Sequence, residues 1–200
     1  MKVSPTLVSV LKCFSTINTN FIINPGNTLA IRSTTKENIA IYTGPDKFEK
    51  QCGIYNLNEF LGVLSAFATP EITFEDDHLV VAEGNQNLKF VYANTTTLTP
   101  TPPTDIKMPP AKVTFELTAQ VLARLYKMAG VISSPYISFV GNGKKIMAQV
   151  TDIDNPSSNE FNIEVADSDK EFEAHYRVER LKLVGGLNYT VSLASNVSEF

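Results

Sequence analysis

Histidine and cysteine are scarce in this sequence, two of each in 200 residues, and their scarcity removes whole classes of chemistry. His78 follows the acidic run Glu75-Asp76-Asp77 and His175 lies in an alternating segment; neither has a metal-ligand spacing such as HExxH. No GxSxG supplies a nucleophile, and no pair of carboxylates is held at helical spacing in an apolar setting. Cys13 lies in an apolar periodic segment and Cys52 beside Gly53, outside any CxxC pair, so both read as reduced, buried thiols. Asp152-Ile153-Asp154-Asn155 resembles the start of a calcium loop but lacks the glycine at position six and the glutamate at twelve. Gly141-Asn142-Gly143-Lys144 joins two strands, whereas a phosphate-binding loop opens a helix. No stretch approaches the roughly 18 apolar residues of a membrane span, and the start lacks a signal peptide's apolar run. A soluble intracellular protein is expected, with no catalytic residue, metal or cofactor.

Charge of one sign is missing locally. The formal net charge of -4 argues against a protein that coats nucleic acid electrostatically. No acidic residue occurs in 1–18 or 119–130, however, while acids crowd 75–77 and 167–173. Placed on helices, Gln120, Arg124 and Lys127 step by four and three opposite Val121, Leu122, Leu125 and Met128. Lys12 lies outside the apolar face of the first helix. Arg177 and Arg180 share a face of an expected fourth helix, with Lys182 nearby. Such stripes usually solvate helix surfaces; here they are also candidates for contact with phosphates. No aromatic residues alternate with them, which disfavours stacking on single strands.

What the chain does have is a repeated pattern. Residues 95–111 hold the proline-rich stretch TTTLTPTPPTDIKMPP, an extended linker between expected domains 1–94 and 112–200. Ser4-Pro5 starts a helix burying Leu7, Val10, Leu11, Phe14 and Ile17. Short strands follow, separated by Pro25-Gly26 and Gly44-Pro45-Asp46. A second helix opens at Asn56, with Glu59 as capping-box partner, and buries Leu57, Phe60, Leu61, Leu64 and Phe67. Strands near Ile72, Val80 and Phe90 complete the first half. After the linker, a strand over 112–117 precedes a helix capped by Thr118 and stopped by Gly130. Further strands lead into a short helix ending at Gly185-Gly186 and a strand over 188–194. The expected fold class is α+β, two similar domains of two helices packed on antiparallel sheet, the second short at its C-terminus.

Two strings are more specific. Phe14-Ser15-Thr16-Ile17-Asn18, and Gly53-Ile54-Tyr55-Asn56-Leu57-Asn58-Glu59-Phe60-Leu61-Gly62-Val63-Leu64-Ser65, closely resemble the sliding clamps of T-even bacteriophages. Weaker similarity continues through Gly143-Lys144-Lys145-Ile146, Leu181-Lys182-Leu183 and Asn188-Tyr189. The resemblance implies the DNA clamp fold and a head-to-tail homotrimer encircling duplex DNA in the cytoplasm of an infected bacterium. It also implies partnership with a replicative polymerase as its processivity factor, with an ATP-dependent clamp loader and with late-transcription factors. Lys12 and Lys182 match family lysines that line the hole; Arg124, Lys127, Arg177 and Arg180 extend that set by helical spacing. Leu98, Ile106 and Met108, the larger apolar side chains of the linker, are candidates for docking a partner peptide. Segments 88–92 and 161–165 are candidates for pairing between subunits. The rival readings are a structural β-rich virion protein and a small hydrolase built on Asp76/Asp77 or Asp152/Asp154.

Overall fold

A hydroxyl and a carboxylate fix where the first helix begins. In the computed structural model, which describes residues 1–200, α1 spans Pro5–Ile17. The Ser4 Oγ accepts the Leu7 N–H at 3.0 Å. Asp46 in turn accepts the Ser4 N–H at 3.1 Å and the Ser4 hydroxyl at 2.6 Å. Leu7, Val10, Leu11 and Phe14 form the buried stripe, each side chain contributing about 1.5–3 kcal/mol of burial.

The chain divides into two compact units, Met1–Ile106 and Lys107–Phe200. In the first, strands β1 (Phe21–Ile23), β2 (Gly26–Arg32), β3 (Ile39–Phe48) and β4 (Cys52–Ile54) lead into α2 (Leu57–Ser65). Strands β5 (Glu71–Phe74), β6 (His78–Glu83) and β7 (Gln86–Val91) follow. They form antiparallel sheets ordered β1-β4, β2-β3 and β5-β6-β7. Asn56 caps α2 by accepting the Asn58 and Glu59 N–H groups at 3.1 and 3.4 Å. The helices pack on each other and on the sheets; Phe14 meets Phe21 edge-on at 5.6 Å and Phe60 meets Phe90 at 5.2 Å.

The expected turn at Gly44-Pro45-Asp46 is instead part of β3. The register jumps from Thr28↔Thr43 to Gly26↔Phe48, so residues 44–47 bulge out of the ladder. Pro45 is tolerated because a bulged residue needs no ladder N–H. The bulge also turns Asp46 back onto Ser4.

The second unit runs β8 (Val113–Leu117), α3 (Ala119–Val131), β9 (Tyr136–Asn142), β10 (Lys145–Thr151) and β11 (Phe161–Asp167). It continues with β12 (Glu171–Arg177), β13 (Tyr189–Leu193) and β14 (Ser198–Glu199). Its sheets are ordered β11-β10-β9-β12 and β14-β13-β8. Thr118 caps α3 through the Val121 N–H at 3.3 Å. Gly130 does not stop this helix; the chain turns only at Ser133, whose φ is +53°. Phe139 anchors the core against Phe115, Tyr176 and Phe200, at centroid distances of 5.2, 5.9 and 6.4 Å.

The expected fourth helix does not form. Residues 178–180 make one turn, closed by Arg180 N–H and Leu181 N–H donating to the Arg177 carbonyl at 2.9 and 3.1 Å. Beyond the turn, two carbonyls that a continued helix would use are taken elsewhere: the Tyr126 hydroxyl donates to Leu181 O at 2.6 Å and the Tyr189 hydroxyl to Val184 O at 2.8 Å. A single turn fixes several residues for one or two hydrogen bonds and does not propagate without further intrahelical bonds.

Candidate nucleic-acid interface

On α1 the solvent face is nearly neutral apart from one cation. The Ser9 hydroxyl donates back to Pro5 O at 3.1 Å and the Thr16 hydroxyl to Cys13 O at 2.7 Å. Lys12, exposed between them, is the single charged side chain of the helix. On α2 the exposed positions are Asn58, Glu59, Gly62 and Ser65, so this helix offers no positive charge.

In the second unit, Gln120, Arg124 and Lys127 are exposed on α3 while Leu122, Leu125 and Ala129 are buried. Spacing alone fixed that face, but it did not reveal what Arg124 touches. The guanidinium carbon lies 5.6 Å from the centroid of Phe161, a ring on β11. The Tyr126–Leu181 bond brings the segment with exposed Arg180 and half-buried Lys182 alongside α3. Arg177 is placed differently. It pairs across the ladder with Tyr136 and stacks on that ring at 5.4 Å. Alternation puts both on the face opposite Ile137 and Phe139, and hence opposite α3. Arg177 therefore does not share a helix face with Arg180, because no helix exists there.

The linker residues divide into two groups. Leu98 is 5% exposed and packs inside the first unit, near Gly53. The chain beyond it is held by asparagines: Asn18 Nδ2 donates to Thr99 Oγ1 at 3.0 Å, and Thr99 N–H donates to Asn20 Oδ1 at 2.9 Å. Asn24 Nδ2 donates to Thr101 Oγ1 at 3.3 Å. A peptide could reach Leu98 only by displacing this strap. Ile106 is exposed and Met108 half-buried.

Sequence reading missed one cluster altogether. Across β9 and β12, His175 Nδ1 lies 2.7 Å from Ser138 Oγ, and His175 Nε2 lies 3.3 Å from Glu173 Oε2. The residue types are those of a hydrolase triad, yet Ser138 is 0% exposed, so no substrate can reach the hydroxyl. One carboxylate of each pair is engaged by a neighbouring side chain. Asp76 accepts from Lys50 at 2.6 Å, and Asp154 accepts the Tyr136 hydroxyl at 3.0 Å. Burial pushes the Cys52 thiol up to about 12, far from a reactive thiolate.

Among the strands that are terminal in their sheets are β7 and β11. Beside β7 lies a recess of about 370 Å³ lined by Tyr55, Asn56, Glu59, Val63, Leu88 and Phe90. Tyr55 and Val91, at 74% and 62% exposure, are large apolar side chains left in solvent at this edge.

Residues 2–97 match the family described as DNA polymerase processivity factor. Over 211 aligned residues the chain is 29% identical to the sliding clamp of Vibrio phage KVP40, covering 100% of this chain and 94% of that one. It is 28% identical over 131 residues to the sliding clamp of Enterobacteria phage T4, covering 64% of this chain and 57% of the T4 protein. The backbone is similar to that of A. fulgidus PCNA, solved with the C-terminal region of FEN-1 bound, with a TM-score of 0.70 and 16% identity. That likeness covers 94% of this chain and 84% of the PCNA chain, and it concerns the fold alone. No helix is long and apolar enough to cross a membrane.

Proposed function

We infer that the chain belongs to the T-even-type phage sliding clamps: it is an α+β protein of the DNA clamp fold and a DNA polymerase processivity factor. The observation that carries this reading is the end-to-end match to a phage sliding clamp, in a chain whose helices α1 and α3 expose cations and no acid. A β-rich virion protein would need neither feature.

Subunits join head to tail into a homotrimeric ring, the open edge of β7 pairing with β11 of the next copy. Such a heterologous contact uses the β7 and β11 edges of every copy and makes a ring when the rotation between copies closes. Duplex DNA passes through the hole. Lys12, Lys127, Arg180 and Lys182 face its phosphates, while Arg177, on the outer side of its sheet, does not. Because a ring holds DNA by topology, these contacts are few, weak and independent of sequence; tight phosphate binding would oppose sliding. Processivity then comes from effective concentration: a tethered polymerase rebinds the primer end faster than it escapes. The chain itself catalyses no step. A separate ATP-dependent loader opens the ring, and late-transcription factors are further partners, all in the infected cell's cytoplasm. A polymerase tail docks at the open end of the linker, on Ile106 and Met108.

The test is a Lys12→Glu/Lys127→Glu chain in primer extension on DNA loaded by the clamp loader. Shorter products are expected, with the slope of log affinity against log salt reduced by about one per lost phosphate contact. Product length and slope equal to the parent's would remove these lysines from the DNA path. Ile106→Ser/Met108→Ser should weaken a polymerase C-terminal peptide while leaving the assembly's mass unchanged.

A further inference from the structure

The β7 and β11 edges differ in the charge that stands beside them. Over β7, α2 packs on the inner face through Phe60 and Phe90, and Glu59, the one charged residue of α2, stands at the rim of the recess. Lys89 also borders the recess, but its ammonium group lies 3.9 Å from Asp77. Over β11, α3 packs on the inner face, and Arg124 is laid across Phe161. Glu164 on the same strand is engaged with Lys145.

We propose that the recess beside β7 receives the Phe161–Arg124 corner of a second copy of this chain, with Glu59 of one copy paired to Arg124 of the next. The proposal rests on the ring reading and adds the side chains that choose which edges meet. Each helix lies on the inner side of its own edge strand, so continuing the sheet from β7 into β11 sets α2 beside α3. Phe161 then fills the recess lined by Tyr55, Val63 and Leu88. The planar guanidinium, held by the ring beneath it, presents its N–H fork to the carboxylate. Arg124 is thereby a joint residue and leaves the DNA-facing set.

The experiment is sedimentation of the full chain, without DNA, over a concentration series at low salt. Glu59→Arg and Arg124→Glu should each raise the assembly midpoint by about tenfold or more, since each leaves like charges facing across the joint. The double exchange should bring it back to within about threefold of the parent, the non-additivity expected of residues in contact. Both side chains are exposed, so far-UV circular dichroism should be unchanged throughout. Single variants that assemble like the parent, or a double variant worse than either single, would overturn the pairing while leaving the ring intact. A parent that stays monomeric at every concentration would instead overturn the ring reading itself.

Discussion

The two units begin alike and end differently. Each opens with a capping hydroxyl, Ser4 or Thr118, and a 13-residue helix. In each, the opening segment pairs with a strand far along the unit: Lys2 bridges to Glu71, and β8 pairs with β13. Where the first unit then builds α2, the second has a single turn at 178–180. The difference lies in a cap and in competition for carbonyls. Asn56 satisfies two of the amides at the start of α2. The segment Arg177-Val178-Glu179-Arg180 has no comparable side chain, and tyrosine hydroxyls take the carbonyls that a helix would use. Apolar spacing tells which face of a helix would be buried; whether the helix exists is settled by its ends.

The largest test of the comparison is to hollow each core separately. Phe60→Ala in the first unit and Phe139→Ala in the second should each cost about 3–5 kcal/mol. Residue-resolved amide exchange should place the loss mainly in the unit that carries the change; equal loss in both would show that they fold as one. Next come the caps. Ser4→Ala is expected to cost about 2 kcal/mol against about 1 for Thr118→Ala, because Ser4 also satisfies the buried Asp46 carboxylate. Urea midpoints that reverse this order would mean that the Asp46 contact contributes nothing. Tyr126→Phe should cost about 1 kcal/mol and speed exchange in 178–184 without touching α1. If that segment exchanges as before, competition for the Leu181 carbonyl is not why the helix is missing.

The smallest effect is in acid. Asp76, Asp77 and Glu83, the carboxyls held below their ordinary range, all belong to the first unit. For Glu83 the leading cause is the Thr69 hydroxyl, followed by the Ala68 and Thr69 amides. A depressed folded value means that the contribution is complete above the unfolded carboxyl range and is lost as pH falls through the folded value. Acid below the ordinary carboxyl range should therefore loosen the α2–β5 turn. Glu83→Gln should abolish that acid response, measured by amide exchange at 67–70 as a function of pH.

Much of the fold was legible in local chemistry. Ser4-Pro5 and Thr118 marked their helices, and the buried stripes at Leu7, Val10, Leu11, Phe14 and at Leu122, Leu125 followed from spacing. Other features were not legible, among them Pro45, Gly130 and Leu98. Pro45 reads as a turn until the bulge opposite Asn27 is known. Gly130 reads as a stop, yet it is accommodated inside the last turn of α3. Leu98 reads as an exposed anchor until Asn18 and Asn20, about 80 residues earlier in the chain, are seen to hold its neighbour Thr99. The site divides the same way: periodicity put Lys12, Arg124 and Lys127 in solvent, but the stacking of Arg124 on Phe161 needs the sheet.

The bulge in β3 also bears on how the protein behaves when crowded. β3 is an edge strand with Ile39 and Ile41 in solvent, the kind of flat apolar border onto which stray strands add and from which aggregates grow. By lifting residues 44–47 out of line and placing a proline there, the chain shortens the length that a foreign strand could zip along. The kink thus guards an exposed apolar border against the stray pairing that would precipitate the protein.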